Sequence, residues 1–256
     1  MQAIDDSDSS QPSLKIRSFP VSRSDGRLLD AYYPVPMEWR TEGRKLVVTG
    51  RSFASEVDLD AIPGAEIPLW VVDNDPEAFH PSLSNLLRIL IGVGRLIPSS
   101  LLVHSSSIIV DGKAVLLYGR SGAGKTTSGR LARMEGLETP SDDLNFLEIP
   151  VEGPVRLQGF PFSGDFGQRS WKAAPSYPLS AILRLEKAEE AGVLANSRAS
   201  AVAGLASCAA FMNGEPALRD ELLEILQRLV SAVPVFTLHF RKDQSFVPLL
   251  RRVLAQ

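Results

Sequence analysis

The chain has 256 residues, 44% of them hydrophobic, a net charge of −3 and a single cysteine, Cys208. That is enough chain for one large domain or two small ones with a real core. The charge balance excludes a global basic field for nucleic acid, and one cysteine excludes an internal disulfide and fits a reducing cytoplasm.

Residues 1–13 are acidic and Ser-rich, without the charged-then-apolar order of a signal peptide, and read as a disordered tail. Residues 14–80 hold short apolar runs, such as Lys45 to Thr49 and Ile67 to Val72, punctuated by Gly and Pro. This reads as a small β-rich module. A helix is predicted from Ser82 to Ile97, with Leu83, Leu86, Leu87, Leu90 and Ile91 on one face and Pro98 ending it. The apolar stretch from Leu83 to Tyr118 is broken by Arg88, Arg95, Pro98, His104 and Asp111, so no membrane span is expected.

Ser106 to Val110 and Lys113 to Tyr118 read as strands joined by Asp111-Gly112, a two-residue hairpin signal. The second strand feeds Gly119-Arg120-Ser121-Gly122-Ala123-Gly124-Lys125-Thr126, which fits the P-loop pattern, and a helix is expected from Thr126 to Met134. Strand, loop and helix in that order are the context the motif requires. Backbone N–H groups from Gly119 to Thr127 would wrap a triphosphate, and Lys125 would reach its β- and γ-phosphates. The Thr126 hydroxyl would bind Mg2+. An antiparallel strand feeding straight into the loop implies a mixed sheet, because most P-loop strands have parallel neighbours.

Pro140 to Ile149 reads as a turn and a strand, with Asp142 and Asp143 in the turn. One carboxylate could hold Mg2+ and the other could take the proton of an incoming hydroxyl, although Ser-Asp-Asp also suits an ordinary turn. His104, after Leu101-Leu102-Val103, is a further candidate, against the blander reading of a structural histidine. A glycine-bearing loop at 159–167 is followed by Arg169, and Asp165 and Arg169 could face substrate. His80 and His239 show no metal-ligand spacing, and Arg51, Arg241 and Lys242 read as solvated surface. A strand is expected from Ser180 to Leu185, an Ala-rich helix over 198–212 with Cys208 in its core, and an amphipathic helix from Glu215 to Val230. A strand from Val235 to Phe240 and a last helix complete the chain.

The stretch from Leu101 to Ile149 resembles the catalytic domain of HPr kinase/phosphorylase and its relatives. The likeness lies in Leu102-Val103-His104, the hairpin from Ile108 to Leu117, the P-loop and Ser141-Asp142-Asp143-Leu144. It extends weakly through Tyr177 to Glu186, similar to stretches in HPr-kinase-like proteins found near peptide-modification genes. The resemblance implies an α/β P-loop kinase domain over 81–256, with the mixed sheet shared with phosphoenolpyruvate carboxykinase. It implies an ATP- and Mg2+-dependent kinase acting on a hydroxyl, with Asp142 as base and Asp143 with Thr126 at the metal. His104 would sit beside the transferred phosphate. The Glu-x-Arg-Gly signature of the bifunctional enzymes is absent, its place taken by Val155-Arg156-Leu157-Gln158-Gly159. A kinase whose acceptor is not HPr, such as a serine of another peptide or small protein, fits this departure, and the family's habit implies a homo-oligomer. A nucleotide-binding regulator or scaffold and a small-molecule kinase, for instance of an amino acid, remain alternatives.

Overall fold

A computed structural model describes residues 15–22, 24–28, 37–62, 64–73, 76–93, 99–159, 175–213 and 216–255. The predicted tail at 1–13, Pro98, Asp165 and Arg169 lie outside them, as does the 159–167 loop beyond Gly159. The chain is mixed α/β and divides into two compact units, Met1–Leu90 and Ile91–Gln256.

The first unit holds β1 (Lys15–Val21), β2 (Met37–Glu42), β3 (Lys45–Gly50), β4 (Phe53–Asp58) and β5 (Glu66–Val72). They form one five-stranded mixed sheet in the order β1-β5-β4-β3-β2, with only β1 and β5 parallel among these pairings. Alternation sets the register: Leu46 lies opposite Val57 and Val48 opposite Ser55, all buried. With Ile67, Leu69 and Val71 they form the covered face.

Helix α1 spans Pro76–Gly92. It starts about a turn and a half earlier than the sequence predicts. Among its described side chains Ser82, Leu86, Ile89 and Leu90 are buried, whereas Leu83, Leu87 and Ile91 are only partly covered. The apolar residues are dense enough that periodicity alone did not fix which stripe faces inward.

The second unit is built around β6 (Ser100–Val110) and β7 (Lys113–Tyr118). They pair antiparallel with Val110 opposite Lys113, as the Asp111-Gly112 signal predicts. Both turn residues have positive φ, 50° and 75°, the conformation that matches the twist of paired strands. After α2 (Lys125–Met134) come β8 (Leu144–Glu148), β9 (Arg156–Gly159), β10 (Ser176–Lys187) and β11 (Gly192–Ala195). Helices α3 (Arg198–Ala206) and α4 (Arg219–Ala232), strand β12 (Val235–Phe240) and α5 (Val247–Leu254) follow. The Ala-rich helix ends six residues before its predicted end, and β11 had no sequence signal strong enough to predict it.

The seven-stranded mixed sheet has the order β11-β12-β10-β7-β6-β8-β9. β7, β10 and β12 are parallel, and β6 and β8 run against their neighbours. β10 is long enough to pair with β7 and β12 over its second half and with β9 at its start. The pairings β6–β7–β10–β9–β8–β6 therefore close a ring. Ile108, Val110, Val115, Leu117, Leu183 and Leu238 pack with Phe240, Phe246 and Leu250 into a core on one face. No described helix is long and apolar enough to cross a membrane.

Candidate functional site

The strand order places the candidate residues. β7 ends at Tyr118 and the loop from Gly119 leaves its carboxyl end, at the same end as the parallel β10 and β12. On the far side of β6, the chain before β8 continues the ladder irregularly. Ser105 N–H donates to Asp143 O at 2.9 Å, Ser107 N–H to Ser141 O at 2.8 Å, and Ile109 N–H to Glu138 O at 2.8 Å. One strand thus carries the loop strand on one edge and the paired carboxylates on the other. Neighbouring strands lie only about 4.8 Å apart, so the two features are held close.

The loop needs its glycines. Gly122 and Gly124 have φ of 76° and 114°, a region that side chains disfavour. A Cβ on Gly124 would stand 2.8 Å from the Phe240 ring, and one on Gly119 would lie 3.1 Å from Leu185 O. Gly124 caps α2, whose first turn contains no acidic side chain, so no carboxylate there competes for its first N–H groups.

Lys125 is 7% exposed, and its Nζ donates to Gly119 O at 3.0 Å and Arg120 O at 3.4 Å. Burial pushes its pKa below the ordinary lysine value, partly offset by Cys208 and Asp143. A buried cation hydrogen-bonded to neutral carbonyls has strong unmet demand for an anion. Ser128 Oγ donates to Lys125 O at 2.8 Å and holds the first turn of α2.

His104 sits in the middle of β6, opposite Leu144, and its N–H donates to Cys208 O at 2.7 Å. Its Nδ1 lies 2.9 Å from Asp143 Oδ1. Asp143 is half-buried, and its N–H donates to Ser141 Oγ at 3.2 Å. Asp142 is 4% exposed. His104, Ser121, Gly122, Gly124, Lys125, Thr126, Thr127, Asp142 and Asp143 line one cavity of about 380 Å³. Of the other loop positions, Gly119 accepts from Lys125, and Ala123 N–H donates to Arg120 O at 3.1 Å. His239 lies in β12, opposite Gly192, and does not line this cavity.

Several residues that shape the site carry no site role in the sequence reading. Cys208 Sγ lies 3.9 Å from Gly119 O, because the helix predicted to contain Cys208 stops short of it. Instead, Ala209 bridges to Val103. Ser107 and Asn145 hold the polar side of β6, Asn145 Nδ2 donating to Ser105 O at 2.8 Å. Gly159 has no room for a Cβ, which would stand 2.6 Å from Pro140 O. The signal for the serines was available: Ser105-Ser106-Ser107 interrupts an otherwise apolar strand.

The donor set suits Mg2+. A hydroxyl at Thr126 and carboxylates at Asp142 and Asp143 supply hard oxygen ligands. Among the described residues no group of three His, Cys, Asp or Glu side chains could hold a metal alone.

A family model described as SynChlorMet cassette protein ScmC matches residues 82–255, more than half of the chain. No curated protein matches it.

Proposed function

The chain belongs to the ScmC family of SynChlorMet cassette proteins, and from the geometry of its loop we propose that it is an ATP- and Mg2+-dependent kinase of a hydroxyl. The fold proposed is the P-loop kinase type of HPr kinase and phosphoenolpyruvate carboxykinase. The acceptor proposed is a serine of a peptide or small protein. One observation carries the reading: a single cavity gathers a buried lysine, a helix-start threonine and two adjacent carboxylates.

Lys125 and the N–H groups of the loop would bind the β- and γ-phosphates and fix the γ-phosphorus in place. Thr126 and Asp143 would hold the metal. Bound Mg2+ supplies neutralisation of phosphate charge. Asp142 would accept the proton of the incoming hydroxyl as its oxygen bonds the γ-phosphorus and the bond to the ADP oxygen breaks. Little covalent help is needed, because positioning and charge stabilisation dominate phosphoryl transfer.

The test is transfer from [γ-32P]ATP to a serine-containing peptide library. Asp142→Asn is expected to lose labelling while binding nucleotide, and Arg241→Ala, on the surface, is expected to retain it. Equal labelling by Asp142→Asn and the parent protein would refute the base assignment. The near-complete burial of Asp142 favours a second reading, a nucleotide-dependent scaffold. That reading expects Lys125→Ala to abolish partner binding and no labelled acceptor to form.

A further inference from the structure

Ser105, Ser106 and Ser107 are three consecutive serines of β6, all fully buried. Two of their hydroxyls are committed. Ser105 Oγ donates to Val103 O at 3.1 Å, and Ser107 Oγ accepts from Ser141 N–H at 3.3 Å. Ser106 Oγ has no hydrogen-bond partner in the protein. A hydroxyl shut away from water and left unbonded costs folding free energy that an alanine would not. An orphan of this kind in the middle of a strand calls for a use. The register identifies one. Side chains alternate along a strand, so Ser106 shares a face with His104, which lines the cavity, and with Ile108 and Val110, which pack with Ala132 of α2. The bonds from Ser105 to Asp143 and from Ser107 to Ser141 bracket Ser106 and set it opposite Asp142. Directly opposite residues of an antiparallel pair present their side chains on the same face. On its other edge Ser106 lies opposite Leu117, which is apolar. The polar side chains on the buried side of α2 are taken: Ser128 Oγ donates to Lys125 O, and Lys125 Nζ to Gly119 O. The nearly buried Asp142 carboxylate, which lines the cavity, is thus the charged acceptor in register with the orphan hydroxyl.

We propose that Ser106 is a positioning residue: when Mg2+ and nucleotide bind, its hydroxyl donates to the Asp142 carboxylate and fixes the rotamer of that side chain. The inference rests on reading the cavity as a nucleotide site and Asp142 as its base. A general base works only within hydrogen-bond reach of the proton it removes, so a fixed rotamer matters for transfer. A hydrogen bond from a hydroxyl to a carboxylate is charge-assisted and about twice as strong as a neutral one. Because it forms only in the bound state, its free energy enters the affinity for nucleotide and not the stability of the free protein.

The test is a double-mutant cycle on the full chain, Ser106→Ala against Asp142→Ala, read as the Kd for AMP-PNP with Mg2+ by calorimetry. Ser106→Ala is expected to weaken binding about tenfold in the parent background. In the Asp142→Ala background, where the acceptor is gone, it should change the Kd by less than about twofold. Urea denaturation without ligand gives the second readout. There Ser106→Ala should be as stable as the parent or more so, because it deletes an unbonded polar group. A merely structural serine would show the opposite, a lower urea midpoint, and that result overturns the inference. An unchanged Kd in Ser106→Ala also overturns it and leaves the nucleotide reading standing. So does an equal loss of affinity in both backgrounds, which would mean that the hydroxyl acts without Asp142. A parent protein that does not bind AMP-PNP overturns the nucleotide reading and the inference together.

Discussion

Ser107 and Ser141 hold each other through three backbone groups and a hydroxyl. Ser107 N–H donates to Ser141 O at 2.8 Å, and Ser141 N–H donates to Ser107 Oγ at 3.3 Å. Both serines are fully buried. The turn that carries Asp142 and Asp143 is thereby fastened to the strand beside the loop strand. Ser107→Ala leaves the Ser141 N–H unsatisfied in the interior, which costs about 1–3 kcal/mol. The expected result is that loss in urea denaturation, with phosphoryl transfer falling more than ATP affinity. Unchanged transfer in a folded variant would remove the turn from the positioning machinery.

Gly159 closes the same turn from the other side. A Cβ there would meet three atoms of Pro140 at 2.6, 2.8 and 2.9 Å, including backbone that cannot rotate away. Gly159→Ala is expected to destabilise by about 1–3 kcal/mol through overpacking. The displaced atoms adjoin Ser141 and Asp142, so the metal dependence of activity should shift as well. A thermal melt and a Mg2+ titration check the two effects.

Lys125→Ala removes a buried cation from the loop side of the cavity. Charge-assisted hydrogen bonds contribute about 1.5–3 kcal/mol each, so ATP affinity should fall roughly 10- to 100-fold or more. Gly124→Ala should weaken binding too, because its φ of 114° and the Phe240 ring 2.8 Å from the new Cβ forbid the native loop shape. Calorimetric titration with ATP and Mg2+ measures both, and an unaltered Kd in Lys125→Ala would refute the assignment of the loop.

Tyr118, the residue before the loop, has a buried hydroxyl without a hydrogen-bond partner. Asn196 lies close enough to draw its pKa down slightly but is not placed to bond it. Burial dominates and raises the phenol to about 12. The folded state then binds more protons than the unfolded chain between pH 10 and 12, so this group's contribution to stability is lost as pH rises through that window. Tyr118→Phe should remove that alkaline loss and change stability at pH 7 by less than about 1 kcal/mol, since no bond is broken. Paired denaturation curves at pH 7 and pH 11 decide it. Parallel pH dependence in the two proteins would contradict the assignment.

The hairpin was legible because its signal is local: Asp111-Gly112 specifies a turn whose two residues both take positive φ. The strand and helix around the P-loop were legible for the same reason, each set by contiguous residues. The face of α1 was not. Leucines and isoleucines surround much of that helix, and tertiary packing chose Leu86, Ile89 and Leu90 over Leu83 and Leu87. The end of α3 was also hidden, because alanine is tolerated both in a helix and in the tight segment where Ala209 bridges to Val103. The adjacency of Asp142 and Asp143 was visible, but not their different settings, one buried and one bonded to His104.

The sequence by itself determined the glycine-rich loop of P-loop pattern, the antiparallel hairpin that feeds it, and the presence of paired carboxylates and a histidine. Each depends on residues adjacent in the chain, where backbone sterics and hydrogen bonding act over a few positions. Only the tertiary structure decided that these pieces share one cavity, because that depends on which strands flank β6. The hydrogen bonds from Ser105, Ser107 and Ile109 to the chain at 138–143 put the carboxylates beside the loop. They join residues more than 25 positions apart, and no local pattern specifies a pairing over that distance.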